Sequence, residues 1–392
     1  MNPLLSVSQA FKHIEQHAKT NTVVQKSLDK AMGLVLAEDV ASPINMPPFR
    51  QSSMDGYAII HSDQSSYKIV GEVQAGNSEN IALTQGQAVR IFTGARVPDS
   101  ADTIVIQEHT VRNGENLELT KLPNQYANVR PLGEQIKEKD IALEKGTVLH
   151  EAAIGFLASL GIEKVQVYKR PKVSILVTGN ELQQPGTKLK EGSVYESNGI
   201  TLKSALLRIG IKKVKILRVE DSLQSTTQAI KKCLAKSDIV LISGGISVGD
   251  YDFVKEALEQ NGVKEIFYKV NQRPGKPLWF GTKEDTAVFA LPGNPASSLS
   301  CLYLYVFPLI KTQLGHTDIH LPRHTAIASQ ELKNSTGKTL FLKGKVSDGK
   351  ATLLTGQASS MLKSFAVANA LLVIPEDVAL IKQGEELTYI QI

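Results

Sequence analysis

A glycine-rich segment between an apolar run and a helical pattern carries the clearest chemical signal in this chain. The segment covers residues 243–252, with the sequence SGGISVGDYD, and follows the apolar run 238–242. Glycines lack a Cβ and let backbone N–H groups approach an anion, while the start of the following helix adds the positive end of its dipole. The pattern therefore predicts a strand, a tight turn and a helix start that suit phosphate or oxyanion binding.

Two carboxylates, Asp250 and Asp252, end this segment. Carboxylates beside a bound phosphate repel it unless a divalent cation lies between them, and Mg²⁺ takes oxygen ligands of this kind. The first hypothesis is therefore a nucleotide-type phosphate bound with Mg²⁺. The alternative is that either aspartate only caps the helix and interacts with its dipole.

Two further turns follow apolar runs in the same half of the chain. The segment 178–182 (TGNEL) follows the run 173–177, and 291–298 (LPGNPASS) follows the run 287–291. Glu181 in the first turn could supply a metal ligand or hold a ribose hydroxyl, and a plain surface turn explains it as well. If the runs are parallel strands of one sheet, all three turns lie at one edge, where ligands bind in such folds.

A basic loop, residues 269–277, lies between the glycine-rich segment 243–252 and the turn at 291–298. Lys269, Arg273 and Lys276 fall within eight residues, and Pro274 and Pro277 restrict the backbone around them. These cations could neutralise phosphate charge and stabilise negative charge that develops on a leaving group. A solvated basic loop is the alternative.

The N-terminal half offers weaker signals. Residues 47–58 and 92–98 are dense in turn-forming residues, and Asp55 before Gly56 is most simply a turn former. The histidines are dispersed, which argues against an imidazole zinc site. The sequence suggests no Ser-His-Asp or Cys-His arrangement and contains no Walker pattern.

Composition limits the class of protein. With 392 residues, 42% hydrophobic and 21% charged, the chain predicts an ordinary globular protein of two to four domains. No apolar run approaches the roughly 18 residues that cross a bilayer, so we expect no membrane association. The N-terminus lacks a signal-peptide pattern, and the sequence contains only two cysteines, Cys233 and Cys301. We therefore expect a cytoplasmic protein. The net charge of +5 is scattered, which argues against nucleic-acid binding and fits an anionic small ligand or solubility alone.

Hydrophobic periodicity predicts a multidomain α/β protein. Apolar runs at 173–177, 214–217, 238–242, 266–270 and 287–291 alternate with helical patterns, which is typical of a doubly wound, mostly parallel sheet. We expect a helix over 152–161, ended by Gly161, and helical character from residue 1 to 38. The predicted domains are a helical linker domain (1–38 and 136–168), a β-rich inserted domain (39–135), an α/β domain (169–318) and a C-terminal β domain (319–392).

Taken together, six motifs resemble the MoeA-type molybdopterin molybdenumtransferases, a family that includes the gephyrin E domain. The motifs are PPFRQSSMDGYA (47–58), RIFTGARVPDSADTIVIQE (90–108), LVTGNEL (176–182), ISGGISVGDYD (242–252), RPGKP (273–277) and LPGNPASS (291–298). They run through nearly the whole chain in the family's order. The resemblance implies insertion of molybdate into molybdopterin, with adenylylated molybdopterin as substrate, a divalent cation as cofactor and release of AMP.

The resemblance also implies an assembly and partners. It implies an elongated homodimer whose active site lies between the α/β domain of one chain and the β-rich insertion of the other. A contact with a molybdopterin adenylyltransferase is a further expectation.

Site residues follow from the resemblance position by position. Asp55 and Thr93 would line the cleft from the insertion side, whereas Glu181 and Asp252 would hold Mg²⁺ or another divalent cation near the substrate. Asp221 falls where the family has an acidic pair, with Glu220 as the alternative. The predicted catalytic residues are Asp55, Thr93, Glu181, Asp221, Asp252, Lys269, Arg273 and Lys276. The residues predicted to bind the pterin cofactor substrate are Gly244, Gly245, Ser247, Gly249, Pro292, Gly293, Asn294 and Ser297.

Three positions depart from the family's usual pattern. Gln135 stands where an aspartate is common, and Glu196 lengthens a usual aspartate. Arg273 stands where lysine is also usual, and because arginine donates bidentately to phosphate, anion binding should survive that change.

Two other functions compete with molybdate insertion. A molybdopterin adenylyltransferase is the closest, because related α/β domains share the GGxSxG loop. A non-catalytic scaffold that binds molybdopterin is the second.

Overall fold

The computed structural model describes residues 4–76, 80–246 and 253–392, which form two compact units. The first unit comprises Met1–Val24, Gly33–Ala37 and Val167–Ile392, and the second comprises Gln25–Met32 and Glu38–Gln166. Strands β1 (Val23–Ser27) and β12 (Lys164–Tyr168) each contain residues of both units. The predicted division into four domains stays a prediction. Within the described residues, no helix combines the length and the apolar character needed to cross a membrane.

A six-stranded sheet forms the centre of the first unit. Its strands lie in the order β16-β13-β17-β21-β20-β18. Strand β13 pairs in parallel with β16 and β17, and β17 pairs in parallel with β21. All five predicted apolar runs are strands of this sheet, whose members are β13 Val173–Thr178, β16 Val214–Val219, β17 Ile239–Ser243, β18 Lys264–Tyr268, β20 Trp279–Lys283 and β21 Thr286–Leu291.

The sheet is mixed at one side, which is compatible with the predicted mostly parallel arrangement. Strand β20 pairs antiparallel with both β21 and β18. Only Glu284 and Asp285 separate β20 from β21, and so short a connection reverses the chain direction. Glu284 adopts the positive φ of 52° that such a turn requires.

Helices cover both faces of this sheet. One face packs against α1 (Val7–His17), α3 (Asn198–Arg208), α6 (Pro295–Cys301) and α7 (Phe307–Gln313), and the other against α4 (Leu223–Leu234) and α5 (Val254–Gln260). Side chains alternate along each strand, so that Ile175 faces the first layer and Leu176 the second. A π-helical segment, Leu302–Val306, joins α6 to α7.

Helix α1 is shorter than the helical pattern from residue 1 to 38 suggested. Ser6 begins it with a capping box that involves Gln9, and the helix ends at His17. Residues 20–24 then include four β-branched residues, of which the last two begin β1, and such side chains favour an extended backbone. The prediction of helical character beyond His17, through residue 38, was therefore wrong apart from a single 3-10 turn at Leu28–Lys30.

The C-terminal part of the first unit is a second six-stranded sheet. Its order is β19-β24-β25-β22-β28-β26, and a further pairing of β24 with β26 curls the sheet back on itself. Strand β19 comes from the basic loop and pairs in parallel with β24. The elements are β19 Gln272–Arg273, β22 Arg323–Ala328, β23 Leu332–Lys333, β24 Thr339–Ser347, β25 Lys350–Leu353, α8 Leu362–Phe365, β26 Ala370–Ile374, β27 Leu380–Ile381 and β28 Glu386–Gln391, with short β14 Leu182–Gln183 and β15 Val194–Tyr195 pairing near the first sheet.

The second unit is β-rich, as predicted. Its main sheet has the order β7-β4-β6-β5-β9-β8 and buries apolar side chains on both faces. The expected helix over 152–161 is present as α2 (Glu151–Ser159). The strands are β2 Val40–Ala41, β3 Gln51–Ser52, β4 Gly56–Ile59, β5 Ser66–Val73, β6 Gln87–Ile91, β7 Thr103–Ile106, β8 Thr110–Asn113, β9 Asn116–Leu119, β10 Val129–Arg130 and β11 Ile141–Leu143.

Candidate functional site

The turns that follow β13, β17 and β21 line a single cleft in the first unit. The cleft has a volume of about 670 Å³, and its walls include Glu181, Gly244 and Gly293, one residue from each turn. Because the three strands are parallel neighbours, their carboxyl ends meet at one edge of the sheet. The prediction that these motifs share an edge is confirmed.

The turn after β17 is possible only because its first two residues are glycines. Gly244 and Gly245 have φ angles of 97° and 65°, a region that other residues rarely adopt. A Cβ on Gly244 would lie 2.9 Å from Thr178 Oγ1, and one on Gly245 would lie 2.7 Å from Val254 Cγ2. The backbone therefore approaches the turn after β13 closely, and both glycines lie in the cleft wall.

Two of the predicted acids share this cleft. Glu181 and Asp221 both line it, and the Glu181 carboxylate is exposed and makes no hydrogen bond or ion pair with another described residue. Asp221 Oδ2 accepts from the Asn180 N–H at 3.1 Å, and the Asp221 N–H donates to Asn180 Oδ1 at 3.1 Å. This reciprocal pair fixes the turn that carries Glu181. Glu220, the alternative to Asp221, lines a neighbouring pocket instead.

A third carboxylate, Glu196, lies in the cleft wall and is 1% exposed. Its Oε1 accepts from the Gly199 N–H at 2.6 Å, and its Oε2 lies 3.6 Å from Arg218 Nη2. The described lining of the cleft contains no lysine or arginine. The negative charge of this wall would attract a cation and would repel phosphate unless a cation is bound.

The basic loop lies beside the cleft without forming its described wall. Pro277 lines the cleft, whereas Lys269, Arg273 and Lys276 do not. Lys269 has a φ of 71°, and its Nζ lies 4.6 Å from the centre of the Tyr268 ring. The side chains of Arg273 and Lys276 are exposed, and neither forms a hydrogen bond or ion pair with another described residue. Both cations are therefore free to contact a ligand.

The remaining predicted ligand residues divide into three groups. Pro292, Gly293 and Asn294 line the cleft, whereas Ser297 is buried in α6 and is not part of the described cleft wall. The predictions for Ser247, Gly249 and Asp252 fall outside the described residues. Asp55 and Thr93 belong to the second unit. All of these assignments stay predictions.

The structure adds a contribution that sequence reasoning missed, a loop of the C-terminal sheet. Ser360 lines the cleft, Ser359 O accepts from the Ala296 N–H at 3.0 Å, and Ser359 Oγ accepts from Asn294 Nδ2 at 3.0 Å. The loop therefore binds to the turn after β21. No pattern in the residues around Ser359 signals this contact in the sequence.

A buried lysine holds this loop in place. Lys343 is 2% exposed, and its Nζ donates to the carbonyl oxygens of Gly356 at 2.8 Å, Ala358 at 3.1 Å and Met361 at 3.1 Å. Burial lowers the pKa of Lys343 from its ordinary value, and the three carbonyls supply partners for the charged form. A lysine that directly follows three apolar residues, 340–342, was the available sequence signal.

In the second unit, Asp55 and Thr93 form a pair. Asp55 Oδ1 accepts from the Thr93 N–H at 2.7 Å and from the Thr93 hydroxyl at 2.7 Å. These two hydrogen bonds lower the pKa of Asp55 below its ordinary value of 3.8; desolvation opposes them, and the nearby charge of Arg90 adds a smaller lowering. Asp55 therefore stays ionised at neutral pH and is suited to charge interaction rather than to proton transfer.

Replacing Asp55 by Asn tests that charge role. The amide oxygen can still accept from both Thr93 donors, so we expect the fold to be retained. For the reaction that the family resemblance implies, followed by release of AMP, we expect kcat/KM to fall about tenfold or more through loss of charge alone. The ionised Asp55 carboxylate contributes to the free energy of unfolding above pH 3.8, and this contribution is lost as the pH falls through the lowered pKa of Asp55. The free energy of unfolding of the Asn variant should therefore lack this part of the acid dependence. Thr93→Ser, which retains both donors, is the control. Equal kcat/KM for Asp55→Asn and wild type would refute the role.

Comparison with known proteins gives the family. Sequence models match in three consecutive parts: a MoeA N-terminal region (domain I and II) at residues 5–161, a probable molybdopterin binding domain at 174–312, and a MoeA C-terminal region (domain IV) at 325–392. A molybdopterin molybdenumtransferase of Haemophilus influenzae is 34% identical over 98% of this chain and 98% of its own. The chain belongs to the MoeA family.

Other MoeA relatives agree over the full length. Molybdopterin molybdenumtransferase 2 of Mycobacterium tuberculosis is 32% identical over 97% of this chain and 98% of its own. The crystal structure of a molybdopterin biosynthesis MoeA protein from Pyrococcus horikoshii OT3 is similar with a TM-score of 0.86 and 28% identity, covering 100% of both chains. The multidomain α/β architecture with β-rich regions is therefore that of MoeA proteins.

Proposed function

We propose that this protein is a molybdopterin molybdenumtransferase, which inserts molybdate into adenylylated molybdopterin, releases AMP and thereby forms molybdenum cofactor. The supporting observation is the single cleft in which Glu181 and Asp221 lie beside the turns of Gly244–Gly245 and Pro292–Asn294. Glycine-containing turns let backbone N–H groups approach phosphate oxygens, and the carboxylates suit a cation that bridges to them.

Mg²⁺ or another divalent cation fits the donor set of this cleft. Glu181 offers a carboxylate that has no partner in the described part of the chain, and hard cations prefer oxygen ligands. Within the described residues, no group of three His, Cys, Asp or Glu side chains is placed to hold a metal, so substrate oxygens or Asp252 would complete the coordination. Glu181 and Asp252 would hold the cation, which would neutralise the charge of the pyrophosphate.

The residues of the chain then act by positioning and charge. The glycine turn and the free cations Arg273 and Lys276 hold the pyrophosphate and molybdate oxygens. Two Mo–S bonds form at the dithiolene while one molybdate oxygen leaves as water with the two thiol protons. This insertion is coupled to hydrolysis of the phosphoanhydride bond, in which water attacks phosphorus, AMP leaves and the phosphate stays on the pterin. No serine or cysteine nucleophile is required.

AMP release provides the direct test, with metal removal as its control. Purified protein with adenylylated molybdopterin, Mg²⁺ and molybdate should release AMP only when molybdate is present, and EDTA should lower the rate at least ~100-fold because the pyrophosphate charge is then uncompensated. Chromatographic quantification of AMP measures the result. Formation of adenylylated molybdopterin from ATP would instead identify an adenylyltransferase, and binding without turnover would identify a scaffold.

We also propose, from the family resemblance, that two chains form a homodimer in the cytoplasm. The same resemblance makes a molybdopterin adenylyltransferase, as the source of the adenylylated substrate, a partner to test.

A further inference from the structure

Asn198 connects two of the turns that form the cleft. Its Nδ2 donates to Ser243 Oγ at 2.8 Å and to Gly293 O at 2.7 Å. Ser243 ends β17 and precedes the glycine turn, and Gly293 belongs to the turn after β21. All three residues line the cleft.

The orientation of the Asn198 amide follows from its partners. A carbonyl oxygen can only accept, so the atom that faces Gly293 O must be the nitrogen. The amide oxygen is then buried and has no hydrogen-bond partner in the described structure. A buried carbonyl without a partner among the described residues costs free energy, so the favourable contribution of the Asn198 side chain comes from its two donors.

Asn198 does not use these donors for its own helix. It is the first residue of α3, and the N-terminus of that helix is bound by another side chain, because Glu196 Oε1 accepts from the Gly199 N–H at 2.6 Å. Both hydrogen bonds from Asn198 go to residues outside α3. The two turns that they join are already close, because the Gly244 N–H donates to Leu291 O at 3.3 Å. Asn198 therefore adds two bonds that fix the spacing between the turns.

We infer that Asn198 is a positioning residue for the reaction, and that it sets the distance between the glycine turn after β17 and the turn after β21 so that both engage the same substrate phosphates. This inference rests on the proposed function. Misplacement of a binding group by about 1 Å costs on the order of 100-fold in rate, so the loss of both bonds should be visible in the kinetics.

The test compares Asn198→Asp with Asn261→Asp. Asn261 is 8% exposed, and its Nδ2 also donates twice, to Thr227 O at 3.0 Å and Ala257 O at 2.7 Å. It lies by the β20–β21 turn, since its carbonyl oxygen accepts from Lys283 Nζ at 2.7 Å. Each variant keeps the size of its side chain and removes the two hydrogen bonds that its amide nitrogen donates. Only Asn198 lies in the cleft wall.

For Asn198→Asp we expect the Kd for AMP with Mg²⁺, measured by calorimetry, to rise about tenfold and kcat/KM for AMP release to fall about 100-fold. Asn261→Asp should lose comparable stability in urea unfolding and keep both values within about twofold of wild type. Ser243→Ala removes one acceptor only, so we expect a smaller loss of kcat/KM, and the double variant with Asn198→Asp should be no worse than Asn198→Asp alone.

Wild-type values of Kd and kcat/KM in Asn198→Asp would overturn the inference. If that variant does not fold, Ser243→Ala decides in its place, and an unchanged AMP affinity and kcat/KM there would overturn it equally. A wild-type protein without molybdate-dependent AMP release refutes the proposed function itself, which separates the two failures.

Discussion

Glu181→Gln should lower kcat/KM for AMP release by on the order of 100-fold and raise the Mg²⁺ concentration needed for half-maximal rate. The Glu181 carboxylate is exposed in the cleft wall and has no partner among the described residues, so its charge is available to a bound cation. Glutamine keeps the shape and removes the charge. Rates measured over a Mg²⁺ titration separate weaker metal binding from a lower maximal rate.

Glu191→Gln is the matched control for this change. Glu191 is an exposed glutamate in the segment between β14 and β15 and does not line the cleft. The two variants change net charge equally, so a general electrostatic effect would appear in both. If Glu181→Gln retains the wild-type Mg²⁺ dependence and rate, Glu181 does not hold the cation.

Lys343→Met should lower both stability and activity. The substitution leaves the carbonyl oxygens of Gly356, Ala358 and Met361 without their donor, and we expect the free energy of unfolding to fall by about 2–4 kcal/mol. The loop that carries Ser360 would shift, so kcat/KM should fall at least ~10-fold under conditions where the variant is folded. Urea unfolding and AMP release measure the two effects.

Lys345→Met controls for the loss of a lysine in the same strand. Lys345 lies two residues further along β24 and is exposed. We expect its replacement to change stability by less than about 0.5 kcal/mol. A fully active and stable Lys343→Met variant would show that the three carbonyls find other partners and that the loop does not depend on this lysine.

Local patterns predicted the elements that carry the site. The buried strands read as apolar runs, and Gly244 and Gly245 signalled a turn that the structure shows to depend on their positive φ angles. Parallel strands place their carboxyl ends together, so the shared edge followed from the alternation of runs and helical patterns.

Strand β20 was not predicted from the sequence, because a glycine interrupts its apolar pattern. A Cβ on Gly281 would lie 2.4 Å from Lys264 O and 2.4 Å from Trp279 Cη2, so the glycine permits a close approach inside the sheet. The antiparallel pairing of β20 with β18 and β21 follows from that placement and from a two-residue turn, which a search for crossover helices does not find.

The contacts of the loop that carries Ser359 and Ser360 were not predicted, for a different reason. Ser359 meets Asn294 across 65 residues of sequence, and Lys343 binds carbonyl oxygens, which every residue type possesses. Such hydrogen bonds depend on how distant segments pack and leave no periodic signature. The choice between Glu220 and Asp221 likewise needed geometry, because neighbouring residues on one strand end point into different pockets.

Strand β19 has a consequence for protein engineering and for the evolution of these chains. Gln272 and Arg273 come from the α/β part yet complete the C-terminal sheet by pairing with Thr339 and Leu340. A graft that replaces the C-terminal part alone would leave one sheet without its edge partner. Chimeras between relatives should therefore exchange the basic loop and the C-terminal part together, and recombination that divides them should be selected against.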